Sequence, residues 1–246
     1  MSKLPNAPLI EVVFELRWKI SDKKDLERYQ YLHGDLFALV KGNYKYREAL
    51  FPAEVPIEVY ANNPAYRFRV EKDSYPLIQV GPGVITVNTI DEKYNWDEYE
   101  SRVMDVISKF MQVHPLDLDQ TVTLTLQYFD FLQFDFKKNE VFQFLKDNLN
   151  ISIQQDFYKN VLHSTNLNVG LSYETSNGAL TLSFNRGNNK DGQDGIVIRT
   201  SLVGKPIKPE KNQIKKWLAE SHEFCSQLFK DMTKGGLYES FKLKKV

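Results

Sequence analysis

The order of predicted secondary-structure elements occurs twice in this chain, and that repeat is the strongest constraint on its fold. Residues 8–112 are predicted as a strand, a helix, three strands and a helix, and residues 120–234 repeat that order. The pattern indicates an α+β protein with antiparallel sheets packed by helices. We place the two tandem halves at residues 1–115 and 116–246, and expect one compact, pseudo-duplicated unit with two sheets or one continuous curved sheet.

Alternation of apolar and polar side chains predicts the strands of the first half. Residues 12–20 alternate in this way, which is typical of a strand with one buried and one solvated face. Three further strands are predicted at about 54–61, 65–72 and 76–89. The last of these is either bent or split in two at Gly81-Pro82-Gly83.

The second half opens with a strand from Val122 whose alternation slips at Phe129, which predicts a bulge or a bend. A short helix is predicted from about residue 139 to 148, and residues 151–163 form either a second helix or an irregular connection. Later elements are predicted from periodicity, as strands at about 166–174, 178–186 and 195–203 and a long helix at about 210–233.

Composition excludes several classes of protein. The chain has 32 Lys plus Arg and 32 Asp plus Glu, so its bulk charge gives no case for nucleic acid or an anionic membrane. The single cysteine, Cys225, cannot form an intrachain disulfide, which fits a reducing cytosol. No apolar run approaches the roughly 18 residues of a membrane span, and the N-terminus has no signal-peptide core. We expect a cytoplasmic protein without a membrane partner.

No motif in the sequence carries an established chemistry. Gly81-Pro82-Gly83 lacks the following helix whose N-terminus would hold a phosphate, so a turn is favoured. His222 and Cys225 lie three residues apart on a predicted helix, but a packed thiol beside a helix-edge histidine is favoured over a metal pair or a catalytic dyad. We expect no cofactor and no metal, and favour no enzymatic activity; an unfamiliar active site is the alternative.

Several segments resemble a sporadically distributed bacterial family of uncharacterised proteins of similar length. They are Leu4-Pro5-Asn6-Ala7-Pro8-Leu9-Ile10-Glu11, Gln79-Val80-Gly81-Pro82 with Val87-Asn88 and Tyr94, Leu126-Gln127-Tyr128, and Trp217-Leu218 with His222 and Phe229. The family tends to have an Arg-Tyr pair followed by Asn where this chain has Gln127 and Asp130. The resemblance implies no activity, but its scattered distribution implies a mobile module, as in phage defence or toxin–antitoxin systems.

The sequence favours a non-catalytic binding or interaction protein, an accessory component that associates with a protein partner or with itself. The alternative is a nucleic-acid or small-ligand binder that uses the sheet surface. Residues 66–69 alternate aromatic with basic side chains, and alternation sends the aromatics to the core and the arginines to solvent. A basic sheet surface would indicate nucleic-acid binding, and a deep pocket between the halves would indicate a small ligand. A flat apolar patch would indicate a protein partner.

Three polar residues are the candidate binding residues. Gln79, Asn88 and His222 lie in the segments that carry the resemblance, and core packing does not explain them. The alternative explanation is hydrogen bonding within turns or between the two halves.

Overall fold

The computed structural model describes residues 4–20, 23–117, 119–155, 164–233 and 235–243. Nine strands lie in the described residues, namely β1 (Leu9–Trp18), β2 (Tyr46–Ala49), β3 (Tyr66–Arg69), β4 (Leu77–Gly81), β5 (Val84–Ile90), β6 (Val122–Gln133), β7 (Asn168–Thr175), β8 (Gly178–Asn188) and β9 (Asp194–Val203). The helices of the same residues are α1 (Lys23–Val40), α2 (Trp96–Val113), α3 (Val141–Leu149), α4 (Lys211–Met232) and α5 (Gly235–Lys242).

The nine strands form one antiparallel sheet in the order β2-β3-β4-β5-β1-β6-β9-β8-β7. The predicted α+β class with an antiparallel sheet is confirmed, in its single-sheet form. The strand that opens each predicted half, β1 or β6, lies in the middle of the sheet, and the two pair with each other from Arg17 opposite Thr123 to Glu11 opposite Phe129. The sheet is therefore continuous across the predicted boundary at residue 115.

In β1, burial follows the strand alternation and distinguishes two sides of the sheet. Val12, Phe14 and Leu16 are fully buried and share one hydrophobic core with α1, α2 and α4. Glu11 and Glu15 alternate with them and point to the opposite face. We call these faces the helix side and the open side. Removal of each large apolar side chain from water contributes about 1.5–3 kcal/mol, so the helix layer is held to one side.

The structure corrects the prediction for the first half. Residues 54–61 are not a strand, because a short 3-10 helix at Ile57–Tyr60 follows Pro56 there. The edge strand β2 lies earlier in the chain, so four strands rather than three follow α1. The predicted strand at 76–89 is split by Pro82 and Gly83, which form the turn between β4 and β5.

The bulge predicted near Phe129 is not on β6; the irregularity in the β1–β6 ladder lies on β1. The register shifts between Leu9 and Glu11, so Ile10 is the extra residue. β6 continues in register with β9 through Asp130 to Gln133.

A further prediction concerns the connection after α3. Residues 151–155 have no regular structure and residues 156–163 lie outside the described residues, so the alternatives for 151–163 stay open. The sequence did not predict α5. None of the described helices has the length and apolar character that crossing a membrane requires.

We expect Gly81→Ala to destabilise the fold and Gly34→Ala to stabilise it. A Cβ at Gly81 would overlap the backbone of Asn63 and Pro64, and overpacking of this kind costs about 1–3 kcal/mol. A Cβ at Gly34 in α1 would meet nothing, and alanine there adds about 0.5–1 kcal/mol of helix propensity. Chemical denaturation measures the free energy of unfolding of both variants. A midpoint for Gly81→Ala equal to that of the wild-type protein would contradict the tight packing at Gly81.

Candidate functional site

A cavity of about 510 Å³ lies on the helix side, where β6 and β9 meet α4, α5 and the residues before α2. Its size falls in the range of small-molecule sites. Most of its walls are apolar or aromatic, and they are formed by Leu4, Pro5, Ala7, Pro8, Leu9, Tyr94, Trp96, Tyr128, Cys225, Phe229 and Tyr238. Polar groups also reach it, from Asp91, Asn95, Asp130, Thr200, His222, Ser226, Lys230 and Lys242.

Helical periodicity explains the contribution of α4 to the cavity. His222, Cys225, Ser226, Phe229 and Lys230 all line it. Their spacing of three, four, seven and eight residues places them on one stripe of a helix. The sheet supplies the facing wall, because Tyr128 lies opposite Thr200 in the β6–β9 ladder and both point to the helix side.

Backbone hydrogen bonds fix the N-terminal segment as a wall of the cavity. The amide of Asn6 donates to the carbonyl of Phe241 on α5 at 2.9 Å, and the side-chain amide of Asn6 donates to the carbonyl of Ser240 at 3.3 Å. The amide of Phe131 on β6 donates to the carbonyl of Pro8 at 2.8 Å. The segment thus bridges α5 and the middle of the sheet.

Two aromatic neighbours hold His222 at the cavity. Its ring stacks on the Trp96 indole with centroids 3.6 Å apart and an angle of 9° between the planes. Its Nδ1 lies 2.8 Å from the hydroxyl of Tyr128, which in turn lies 3.5 Å from the hydroxyl of Tyr94. Burial lowers the pKa of His222 to about 4, so the ring is neutral at pH 7. The side chain therefore contributes a flat, uncharged surface.

Asp130 is a carboxyl group on the helix side of the sheet. It is only 5% exposed, and it lines the cavity from the middle of β6. Burial raises the pKa of Asp130 to about 7, and the nearby charge of Asp91 adds to the rise. Within the described residues, its carboxyl oxygens make no hydrogen bond or ion pair.

The structure disfavours a His222–Cys225 catalytic dyad. No hydrogen bond joins these two side chains in the described part of the chain, since His222 is engaged by Trp96 and Tyr128. Burial raises the pKa of the Cys225 thiol to about 12. The thiolate is the nucleophile in cysteine chemistry, so at pH 7 this thiol is a poor one.

Gln79 and Asn88 lie together on the open side, away from His222. They belong to one chain of hydrogen bonds that crosses β3, β4, β5 and β1. Arg67 Nε donates to Gln79 Oε1 (2.9 Å), and Gln79 Nε2 donates to Thr86 Oγ1 (3.2 Å). Thr86 Oγ1 then donates to Asn88 Oδ1 (2.7 Å), and Asn88 Nδ2 donates to Glu11 Oε1 (2.7 Å). Their polarity is thus satisfied within the sheet.

The cavity brings together residues that sequence analysis did not single out. Asp130 and Trp96 were not among the candidate binding residues, whereas His222 was. The slip in alternation at Phe129 was the available signal, because it arises from Asp130, a polar residue on the buried side. In the described ranges, no group of three or more His, Cys, Asp or Glu side chains is placed to hold a metal ion.

Comparison of the chain with protein-family models, with curated proteins and with solved structures finds no significant match in any of the three. The family resemblance stated from the sequence stays a prediction.

We expect Asp130→Asn to become more stable relative to the wild-type protein as the pH rises from about 4 to 7. Over this range the unfolded chain loses the Asp130 proton while the folded chain, with a pKa of about 7, retains it. The folded wild-type protein therefore loses up to roughly 4 kcal/mol that the isosteric amide does not lose. Urea denaturation at several pH values measures the difference.

Asp135→Asn is the control for this titration. Asp135 accepts a hydrogen bond from the Lys137 amide, and this bond lowers the pKa of the carboxyl. Its carboxylate stabilises the fold above the ordinary pKa, so this variant should lose stability relative to wild type as the pH rises. A difference for Asp130→Asn that does not change with pH would contradict the burial of its charge.

Asn88→Leu should lower the free energy of unfolding by about 1–3 kcal/mol, because it leaves the Thr86 hydroxyl without its acceptor and Glu11 without one donor. Asn168→Leu, at an exposed position of the edge strand β7, is the matched control and should be nearly neutral. Thermal denaturation compares the two variants, and equal effects would show that the hydrogen-bond chain adds no stability.

Proposed function

We propose that this chain is a non-catalytic binding protein whose ligand is a small organic molecule held in the cavity on the helix side. The observation that carries the proposal is the cavity itself, with its aromatic walls and few convergent polar groups. A pocket between the predicted halves was the feature expected of a ligand binder, and the walls come from residues 4–9 and 91–96 on one side and from residues after 127 on the other.

The open side of the sheet supports this choice over nucleic-acid binding. Its arginines are already engaged by neighbours in the sheet. Arg17 makes a two-pronged pair with Glu15 at 2.6 and 2.9 Å, and Arg199 donates to Gln127 at 3.1 Å. Arg69, predicted to face solvent, is only 8% exposed and donates to the carbonyl of Ser74. Phosphate binding requires free cations, and this face alternates them with carboxylates.

The predictions of tandem halves and of a family resemblance belong to the same proposal. Tandem halves are supported by the strand order, since the strands run outward from β1 as β5-β4-β3-β2 and from β6 as β9-β8-β7. The segments that resemble the bacterial family supply Leu4, Tyr94, His222 and Phe229 to the cavity. A role in phage defence, the association with a protein partner and the cytoplasmic location stay predictions.

A fluorescent apolar probe tests the proposal. We expect the uncharged dye N-phenyl-1-naphthylamine to bind the wild-type protein saturably, with one molecule per chain and a rise in fluorescence. Ala7 lines the cavity from the N-terminal segment, so Ala7→Trp should fill the space and abolish the signal. Ala53→Trp is the matched control, because Ala53 lies in an exposed loop outside the cavity wall.

Titration of dye into the three proteins separates the outcomes. Binding by wild type and Ala53→Trp, but not by Ala7→Trp, supports the cavity as the site. Absence of saturable binding by the wild-type protein, or equal binding by Ala7→Trp, would falsify the proposed function.

A further inference from the structure

Asp130 is a cavity-lining carboxyl group that finds no partner among the described residues. It is 95% buried, since its exposed fraction is 5%, and what remains accessible lies in the cavity wall. Its carboxyl group makes no hydrogen bond or ion pair with any other residue of the described chain, lysines included. Buried carboxyl groups are ordinarily paired, because an unpaired one costs several kcal/mol. A complementary group on a ligand would supply the missing partner.

Aromatic side chains line the same cavity as this carboxyl group. Trp96, stacked on His222, and Tyr94, in edge contact with Tyr128, both line the cavity. Phe229 and Tyr238 add rings from α4 and α5. The negative faces of aromatic rings attract cations, most strongly where water is excluded. The wall therefore suits the apolar body of an amine as well as its charge.

The described residues bring charges of both signs to the cavity. Asp91 and Asp130 line it with Lys230 and Lys242, and Lys242 is already paired with Glu239 at 2.8 Å. His222 adds no positive charge, because burial lowers its pKa to about 4.

From this geometry we infer that the cavity selects a small organic amine, with its ammonium group on the carboxylate of Asp130 and its apolar body against the aromatic wall. This inference rests on the proposed function and names its ligand class. An ammonium group within hydrogen-bond distance would favour ionised Asp130 and give it the charge-assisted partner that the described residues do not supply. A carboxylate ligand would instead bring like charge to the same group.

Displacement of the bound dye by three matched probes tests the inference. The probes are 2-phenylethylamine, 2-phenylethanol and 3-phenylpropionate, which share a phenyl ring and differ in the charge of the terminal group. We expect the amine to displace the dye from wild type at a concentration about tenfold or more below that of the alcohol, with the carboxylate weakest. Isothermal titration calorimetry provides a direct affinity for each probe.

Asp130→Asn identifies the group that recognises the amine. The variant should lose about tenfold or more in amine affinity while its affinity for the alcohol and for the dye stays the same. Asp135→Asn, outside the cavity wall, is the control and should retain the wild-type order. If Asp130→Asn does not fold, the order of the three probes on wild type decides alone.

The outcomes separate this inference from the proposed function. The amine assignment is overturned if the wild-type protein binds the dye but binds the alcohol or the carboxylate as tightly as the amine. It is also overturned if Asp130→Asn loses affinity for all three probes equally. Either result leaves ligand binding intact. A wild-type protein that does not bind the dye overturns both.

Discussion

The pairing of β1 with β6 in the middle of the sheet is the constraint on which the rest of the structure depends. Each of these strands carries fully buried side chains on one side only, such as Phe14 on β1 and Leu126 on β6, which lie opposite each other. Because strand alternation repeats every two residues, this register fixes which residues of every strand farther out face the helices. The helices must therefore pack on one side, and any enclosed cavity must lie between them and the sheet.

The cavity lies where the helix-side residues of β6 change from apolar to polar. Leu124 and Leu126 on β6 are fully buried in the core, and the next residues on the same side are Tyr128 and Asp130. Two apolar contacts are thus replaced by a hydroxyl and a carboxyl group. Burial of the Asp130 carboxylate opposes folding at neutral pH, as its raised pKa shows. A stability cost at a buried polar group is typical of a site kept for binding rather than for packing.

The sequence predicted the elements with strong periodicity and missed those governed by local or long-range effects. It identified β1, α2 and α4, because each presents one continuous apolar face. It missed β2, since Tyr46–Ala49 is a short edge strand with charged residues, and it assigned a strand where Pro56 begins a 3-10 helix. It missed α5, which begins with two glycines.

The candidate site was less predictable than the fold, because it depends on which residues meet across the sheet. His222 was identified, but Gln79 and Asn88 belong to a hydrogen-bond chain on the opposite side. Their polarity gave the same signal in the sequence as that of His222. The slip in alternation at Phe129 did mark the site, yet from one strand alone a bulge and a buried polar residue give the same pattern. Only the register with β9 distinguishes them.

Preorganisation is the remaining physical property of the cavity. His222 is fixed by the Trp96 stack and by Tyr128, so its ring loses little freedom when a ligand binds. The N-terminal wall is different, because Asn6 and Pro8 hold it to α5 and β6 through a few backbone and side-chain hydrogen bonds. Residues 4–8 therefore connect α5 to the middle of the sheet from outside the β1–β6 ladder.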